Sequence, residues 1–234
     1  MNINIEIGRL IRIARKKSGL TLVEFSKLVY KNPSTLSKYE KGEIVLDIPT
    51  LYHIAQVLNI DIEQLLIRPH RELKTSLTAK VPTFFMGLSQ FYAYFYDGRN
   101  NSIVPCVVDL ISQLEENRFK VVMYMNYKDF NNYQECENTY TGYIEHFDAV
   151  TNIILINKHM PMEKPSIQIL ASQLEADRKW GLWTGFSTRP MMPVSMKMLF
   201  SRIRLSEDTE LLNQLRISKE DIKLYRLYNM FMVI

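Results

Sequence analysis

The spacing of apolar residues changes once along this 234-residue chain, and that change bounds what the chain can fold into. Up to about Arg68 they recur at intervals of three and four. Ile7, Leu10, Ile11 and Ala14 are followed by Phe25, Leu28 and Val29, by Leu36 and Tyr39, and by Leu51, Ile54, Ala55 and Leu58. That is the period of helices that bury one face. From Phe84 onward, aromatic and β-branched residues come in short runs separated by turn residues, the pattern of strands. Phe91–Tyr96 precedes an Asp97-Gly98 turn and Ile103–Val108 follows it. Phe119–Asn126 reads as another strand. Tyr140–Phe147 with Val150–Ile156, and Gly181–Ser187 with Val194–Ser201, read as hairpins. After Ser206 the spacing is helical again, with Leu211, Leu212 and Leu215, then a Ser218 cap leading into Ile222, Tyr225 and Leu227. The sequence therefore predicts two domains: an all-α five-helix head over 1–68 and an α+β body over 81–234. The body has a mainly antiparallel sheet and C-terminal helices, and a linker over 69–80 joins it to the head.

Cap and turn residues sharpen the head. Gly19 is suited to end the first helix in a left-handed conformation, and Thr21 to cap the second. Tyr30-Lys31 makes a short turn. Asn32-Pro33 opens a third helix, since asparagine is favoured as N-cap and proline at the first helical position. Gly42 closes it. A fourth helix starts at Pro49 or Thr50, and Asp61 caps a fifth that ends at Leu65-Leu66. On the third helix, Leu36 and Tyr39 face the core, which leaves Ser34, Thr35, Ser37 and Lys38 pointing outward.

Charge points the same way. The net charge is +4, and the segment to Arg68 carries 10 basic against 7 acidic residues, leaving 19 and 18 for the rest. A basic excess gathered in the first third is compatible with a polyanionic partner. Cys106 and Cys136 are the two cysteines and make neither a disulfide framework nor a zinc motif, so a reducing, cytoplasmic setting is expected. Met1–Arg12 lacks the continuous apolar core of a signal peptide, and no apolar run is long enough to predict a membrane span.

From Ile7 to Leu66 the chain resembles the phage-repressor (Cro/xenobiotic-response-element) family of helix-turn-helix regulators. The resemblance rests on Leu20-Thr-Leu-Val-Glu-Phe25-Ser26, on Ser34-Thr-Leu-Ser-Lys-Tyr-Glu-Lys-Gly42, and on Leu51-Tyr-His-Ile-Ala55-Gln-Val-Leu58. It implies a double-stranded DNA operator as partner, with the third helix in the major groove. By position, Pro33, Ser34, Ser37 and Lys38 would face base edges, while Lys31, Asn32, Thr35 and Lys41 would lie near phosphate. Arg15 and Glu40 would form a structural ion pair. The chain departs from the family at Leu22, where a glutamine is frequent, and at Pro33, which removes a hydrogen-bonding residue. Regulators of this kind commonly act as homodimers, and a homodimer is expected here.

The body matches no family by its motifs. His146 and His159 are not spaced as metal ligands, and no serine or cysteine sits in a nucleophile elbow, so no enzymatic activity, metal or cofactor is expected. Tyr92, Tyr94 and Tyr96 fall on one strand face, Phe91 and Phe95 on the other. An aromatic and methionine-rich core accounts for this composition. The functional counterpart is a pocket for a small-molecule effector, with Tyr94, Tyr96, Arg99, Trp183, Phe186 and Met196 as candidate lining. Arg99 reads first as part of a hairpin turn. Two further readings stay open: an enzymatic body carried by the head, and an antitoxin-like module that binds another protein.

Overall fold

The computed structural model describes residues 3–66, 81–170, 176–188 and 190–233. The chain divides into two compact units, Met1–Arg71 and Glu72–Ile234. The predicted linker over 69–80 lies outside the described residues, as do Arg189 in the second hairpin connection and Ile234.

In the first unit, α1 (Ile3–Lys17), α2 (Leu22–Leu28), α3 (Pro33–Lys41) and α4 (Ile48–Val57) enclose one core around Ile11, Phe25, Leu36 and Ile54. Local signals set the helix ends. Thr21 and Glu24 form a reciprocal capping box, and Tyr30 and Gly42 take positive φ where α2 and α3 end. Three expectations need correction. The fifth helix is a single 3₁₀ turn at Ile62–Gln64, with Asp61 at its cap position. The fourth helix begins earlier, at Ile48, since Asp47 accepts the Thr50 N–H and so acts as the cap. Leu28 is exposed, because Phe25 and Val29 already fill the α2 contribution to the core.

In the second unit, β1 (Gln90–Asp97), β2 (Ser102–Glu115), β3 (Arg118–Tyr127), β4 (Cys136–His146), β5 (Val150–Asn157), β6 (Ser166–Leu170), β7 (Arg178–Thr188) and β8 (Met191–Ser201) pair in sequence order. All pairs are antiparallel, and β8 returns to β1 to close a barrel. A mainly antiparallel sheet was expected; closure and the strand β6 were not. Closure pairs each strand with two neighbours, so wall residues point inward or outward by alternation, apart from the register shifts in β2. Phe91, Ala93, Val108, Phe119, Met123, Ile144, Ile153, Trp183, Met198 and Phe200 share the inner core. A 3₁₀ turn at Thr83–Phe85 inserts Phe84 and Phe85 into the same cluster and plugs one end. The Arg202 guanidinium holds the plug by donating to the carbonyls of Thr83, Phe84 and Met86 at 2.8, 2.6 and 3.1 Å.

Outside the barrel, α5 (Thr209–Leu215) buries Leu211 and Leu215 against Tyr94, Leu199 and Leu205. The following helix, α6 (Lys219–Tyr228), contains no buried residue. Among the described residues no helix is long and apolar enough to cross a membrane.

Candidate nucleic-acid interface and the barrel residues

The α3 helix is clamped from behind. The Arg15 guanidinium donates to both Glu40 carboxylate oxygens, Nε at 2.5 Å and Nη2 at 2.9 Å, and its Nη1 reaches the Leu20 carbonyl at 2.8 Å. The pairing with Glu40 raises the arginine pKa against the opposing effect of burial. Both side chains are nearly buried, so the pair ties α1 to α3 instead of facing a ligand. The same helices meet at Gly8, where an added Cβ would collide with the Tyr39 and Glu40 carbonyl oxygens. Sequence reading missed Gly8, because a glycine within a helical pattern carries no signal of what packs on it.

With Leu36, Tyr39 and Glu40 turned inward, α3 presents its other side to solvent. Asn32, Pro33, Ser34, Lys38 and Lys41 are exposed, while Lys31, Thr35 and Ser37 are half-buried. Asn32 occupies the cap position, yet its side chain makes no cap hydrogen bond. Lys41 lies 3.6 Å from Glu43. Leu22, which stands where the family often has glutamine, is partly buried on the head core. The exposed face therefore holds small polar side chains flanked by lysines, a form that fits a groove of stacked base edges between phosphates.

Residues 11–65 match the family model described as HTH_3, helix-turn-helix. The head is a helix-turn-helix domain. The match spans the helix-turn-helix elements α2 and α3 and stops short of the barrel. No curated protein matches the chain. Among solved structures, the clp gene regulator ClgR from C. glutamicum is 22% identical over 27% of this chain and 82% of its own, with a TM-score of 0.27. An HTH_3 family transcriptional regulator from Vibrio cholerae is 12% identical over 87% of this chain and 92% of its own, with a TM-score of 0.26. Hydroxypropylphosphonic acid epoxidase from S. wedmorenis is 14% identical over 87% of this chain and 93% of its own, with a TM-score of 0.27. At such TM-scores these likenesses carry no argument about the body or its chemistry.

Of the six candidate pocket residues of the body, Tyr96 and Met196 border one cavity, and the other four lie elsewhere on the barrel. Tyr94 and Tyr96 lie on the outer face beneath α5, whereas Trp183 and Met196 belong to the inner layer. Alternation along β7 places Phe186 outward, opposite to Trp183. Arg99 is a turn residue: its backbone N–H and its guanidinium both donate to Asp97, at 2.9–3.0 Å. These bonds, with Arg99 the leading cause, hold the Asp97 carboxyl below its ordinary range. A closed wall thus puts residues that neighbour each other in sequence on opposite faces.

One polar cluster of the body gathers on Glu163. The Glu163 carboxylate accepts from Tyr140 Oη at 3.1 Å, Asn157 Nδ2 at 2.6 Å and Thr188 Oγ1 at 2.7 Å. Burial alone would raise its pKa, but these donors bring it below the usual value. Glu163 thereby fixes the β5–β6 connection to β4 and β7. Cys106 is fully buried and its thiol is pushed far up by burial, which makes it a packing group. Among the described residues no three His, Cys, Asp or Glu side chains gather as a metal site.

Proposed function

We propose that the chain is a cytoplasmic, homodimeric, sequence-specific transcription regulator. Its head reads a double-stranded operator with α3. Its body performs no catalysis, joins two copies and takes a small-molecule effector. The observation that carries this reading is the solvent face of α3, with exposed Ser34 and Lys38 set over a helix clamped by Arg15 and Glu40. Phosphate contacts from Lys31, Asn32 and Lys41 supply affinity, and Ser34, Ser37 and Lys38 supply discrimination. Two-fold pairing is favoured by α6, whose Ile222 and Tyr225 lie one turn apart and are exposed.

Selection from a random duplex library would provide the operator, and titrations on it and on random duplex would test the roles. Lys38→Ala is expected to cost about 1–3 kcal/mol of discrimination. Lys41→Ala should weaken both duplexes alike and lower the salt dependence by about one phosphate contact. Equal losses on operator and random DNA for both substitutions would remove Lys38 from base reading.

A further inference from the structure

The barrel closes along its shortest ladder. The β1–β8 pairing runs over Tyr92↔Ser201, Ala93↔Phe200 and Tyr94↔Leu199. By contrast β1 stays paired to β2 as far as Asp97↔Ser102, and β8 to β7 as far as Thr188↔Met191. Beyond Tyr94, then, both strands run on without a ladder between them, and the wall has a seam. A cavity of about 440 Å³ lies there, between Tyr96 and Gly98 on one side and Ser195, Met196 and Lys197 on the other. Its outer boundary is the α5–α6 joint, Leu215, Arg216 and Ile217, together with Phe231. Met196 packs on the inner core and Leu215 on the outer cluster, so the cavity reaches from one layer to the other. Its volume is within the range of small-molecule sites, roughly 300–1,000 Å³.

Two cations border this space, and they differ. Lys197 Nζ is neutralised by Asp221 at 2.8 Å and lies 4.6 Å from the Trp180 ring centroid. The Arg216 guanidinium sits 5.2 Å from the Tyr96 ring centroid, and its Nη2 donates to the neutral Asn101 side chain at 2.6 Å. These partners orient Arg216 without cancelling its charge. One positive charge is thus held in place beside Met196, Leu215, Ile217 and Phe231, which offer apolar contact.

We propose that the seam cavity binds an amphipathic monoanion, a carboxylate with an extended apolar body. The carboxylate pairs with Arg216, and the body lies against Met196, Leu215, Ile217 and Phe231. This deepens the regulator reading, on which it rests, by giving the effector a site and a chemical class. A ligand held there would bridge the wall to the joint that carries α6.

The test is calorimetry on the full chain with decanoate, decanol and decyltrimethylammonium as probes, below their micellar concentrations. Saturable one-to-one decanoate binding is expected. Decanol and Arg216→Gln should each weaken it roughly tenfold or more, the loss of one charge-assisted hydrogen bond. Arg216→Lys should retain most of the affinity, and matching melting curves would show that the variants fold. Equal binding of decanoate and decanol, undiminished binding by Arg216→Gln, or no saturable decanoate binding would each overturn the proposal. An operator titration separates the two readings. Sequence-selective DNA binding without decanoate binding removes the site alone, whereas decanoate binding without sequence-selective DNA binding removes the regulator alone.

Discussion

His146 shows what burial does to a single titratable residue. It ends β4 inside the plugged end of the barrel, with Phe85 and Phe119 ring centroids at 4.8 and 5.8 Å. Its Nδ1 meets Thr151 Oγ1 at 3.0 Å, while Nε2 is buried without a hydrogen-bond partner among the described residues. Burial pushes its pKa down from 6.5 to about 4. The folded state therefore binds this proton less readily than the unfolded chain. The stability that neutral His146 allows is complete above pH 6.5 and is lost as pH falls to about 4. At 1.36 kcal/mol per pKa unit the full loss is on the order of 3 kcal/mol. Urea melts of the barrel at pH 7, 5.5 and 4 should show it, and His146→Leu should flatten the slope in that window. An unchanged slope in the variant would assign the pH dependence to other groups. The sequence showed only that His146 had no partner at metal-ligand spacing. What surrounds it came from Phe85, Phe119 and Thr151 meeting in space.

At the scale of elements, the packing of α1 on α3 decides how α3 is presented. Helix propensity taken alone favours Ala over Gly by about 1 kcal/mol. At Gly8 the opposite outcome is expected, because an added methyl meets the Tyr39 and Glu40 carbonyls. Gly8→Ala should destabilise the head by about 1–3 kcal/mol, the usual cost of overpacking. Calorimetry should show the head transition lowered, operator binding weakened and the barrel transition unchanged. A stabilised head would mean that α1 and α3 are not in this close contact. The barrel has its own element of this kind in α5. Full burial of Leu211 and Leu215 contributes about 1.5–3 kcal/mol each, so α5 belongs to the barrel's stability.

For the molecule as a whole, the C-terminal helices divide. The sequence places apolar residues at helical spacing on both sides of the Ser218 cap. Of these, α5 docks its share on its own barrel, and α6 keeps Ile222, Tyr225 and Leu227 in solvent, although Lys197 and Asp221 tether its first turn. Removal of residues after Ile217 should leave a folded barrel, since Leu211 and Leu215 remain. Light scattering should then report a monomer, and operator binding should weaken as the two heads lose their linkage. A dimer that survives this truncation would take α6 out of the interface, and an unfolded product would make α6 part of the barrel's own core.

The sequence by itself determined what depends on neighbours within one turn or one strand. The Thr21 cap, the Asn32-Pro33 start of α3, the Asp97-Gly98 turn and the alternation of Tyr92–Tyr96 against Phe91–Phe95 are all short-range. Each was legible because a cap or a pleat acts over at most four residues. The Arg15–Glu40 pair, 25 positions apart, was legible only through resemblance. Tertiary structure decided the remainder. Whether an antiparallel sheet stays open or closes turns on β8 finding β1 across more than 100 residues, a pairing that no local pattern encodes. Closure then put Tyr94 and Trp183 on opposite sides of one wall, sent Glu163 to Tyr140 and Thr188, and left the seam where Arg216 stands over Tyr96. Propensity and period are summed along the chain, whereas a site is made where distant segments meet. For that reason the solvent face of α3 could be drawn in advance, whereas of the cavity's lining only Tyr96 and Met196 had been singled out.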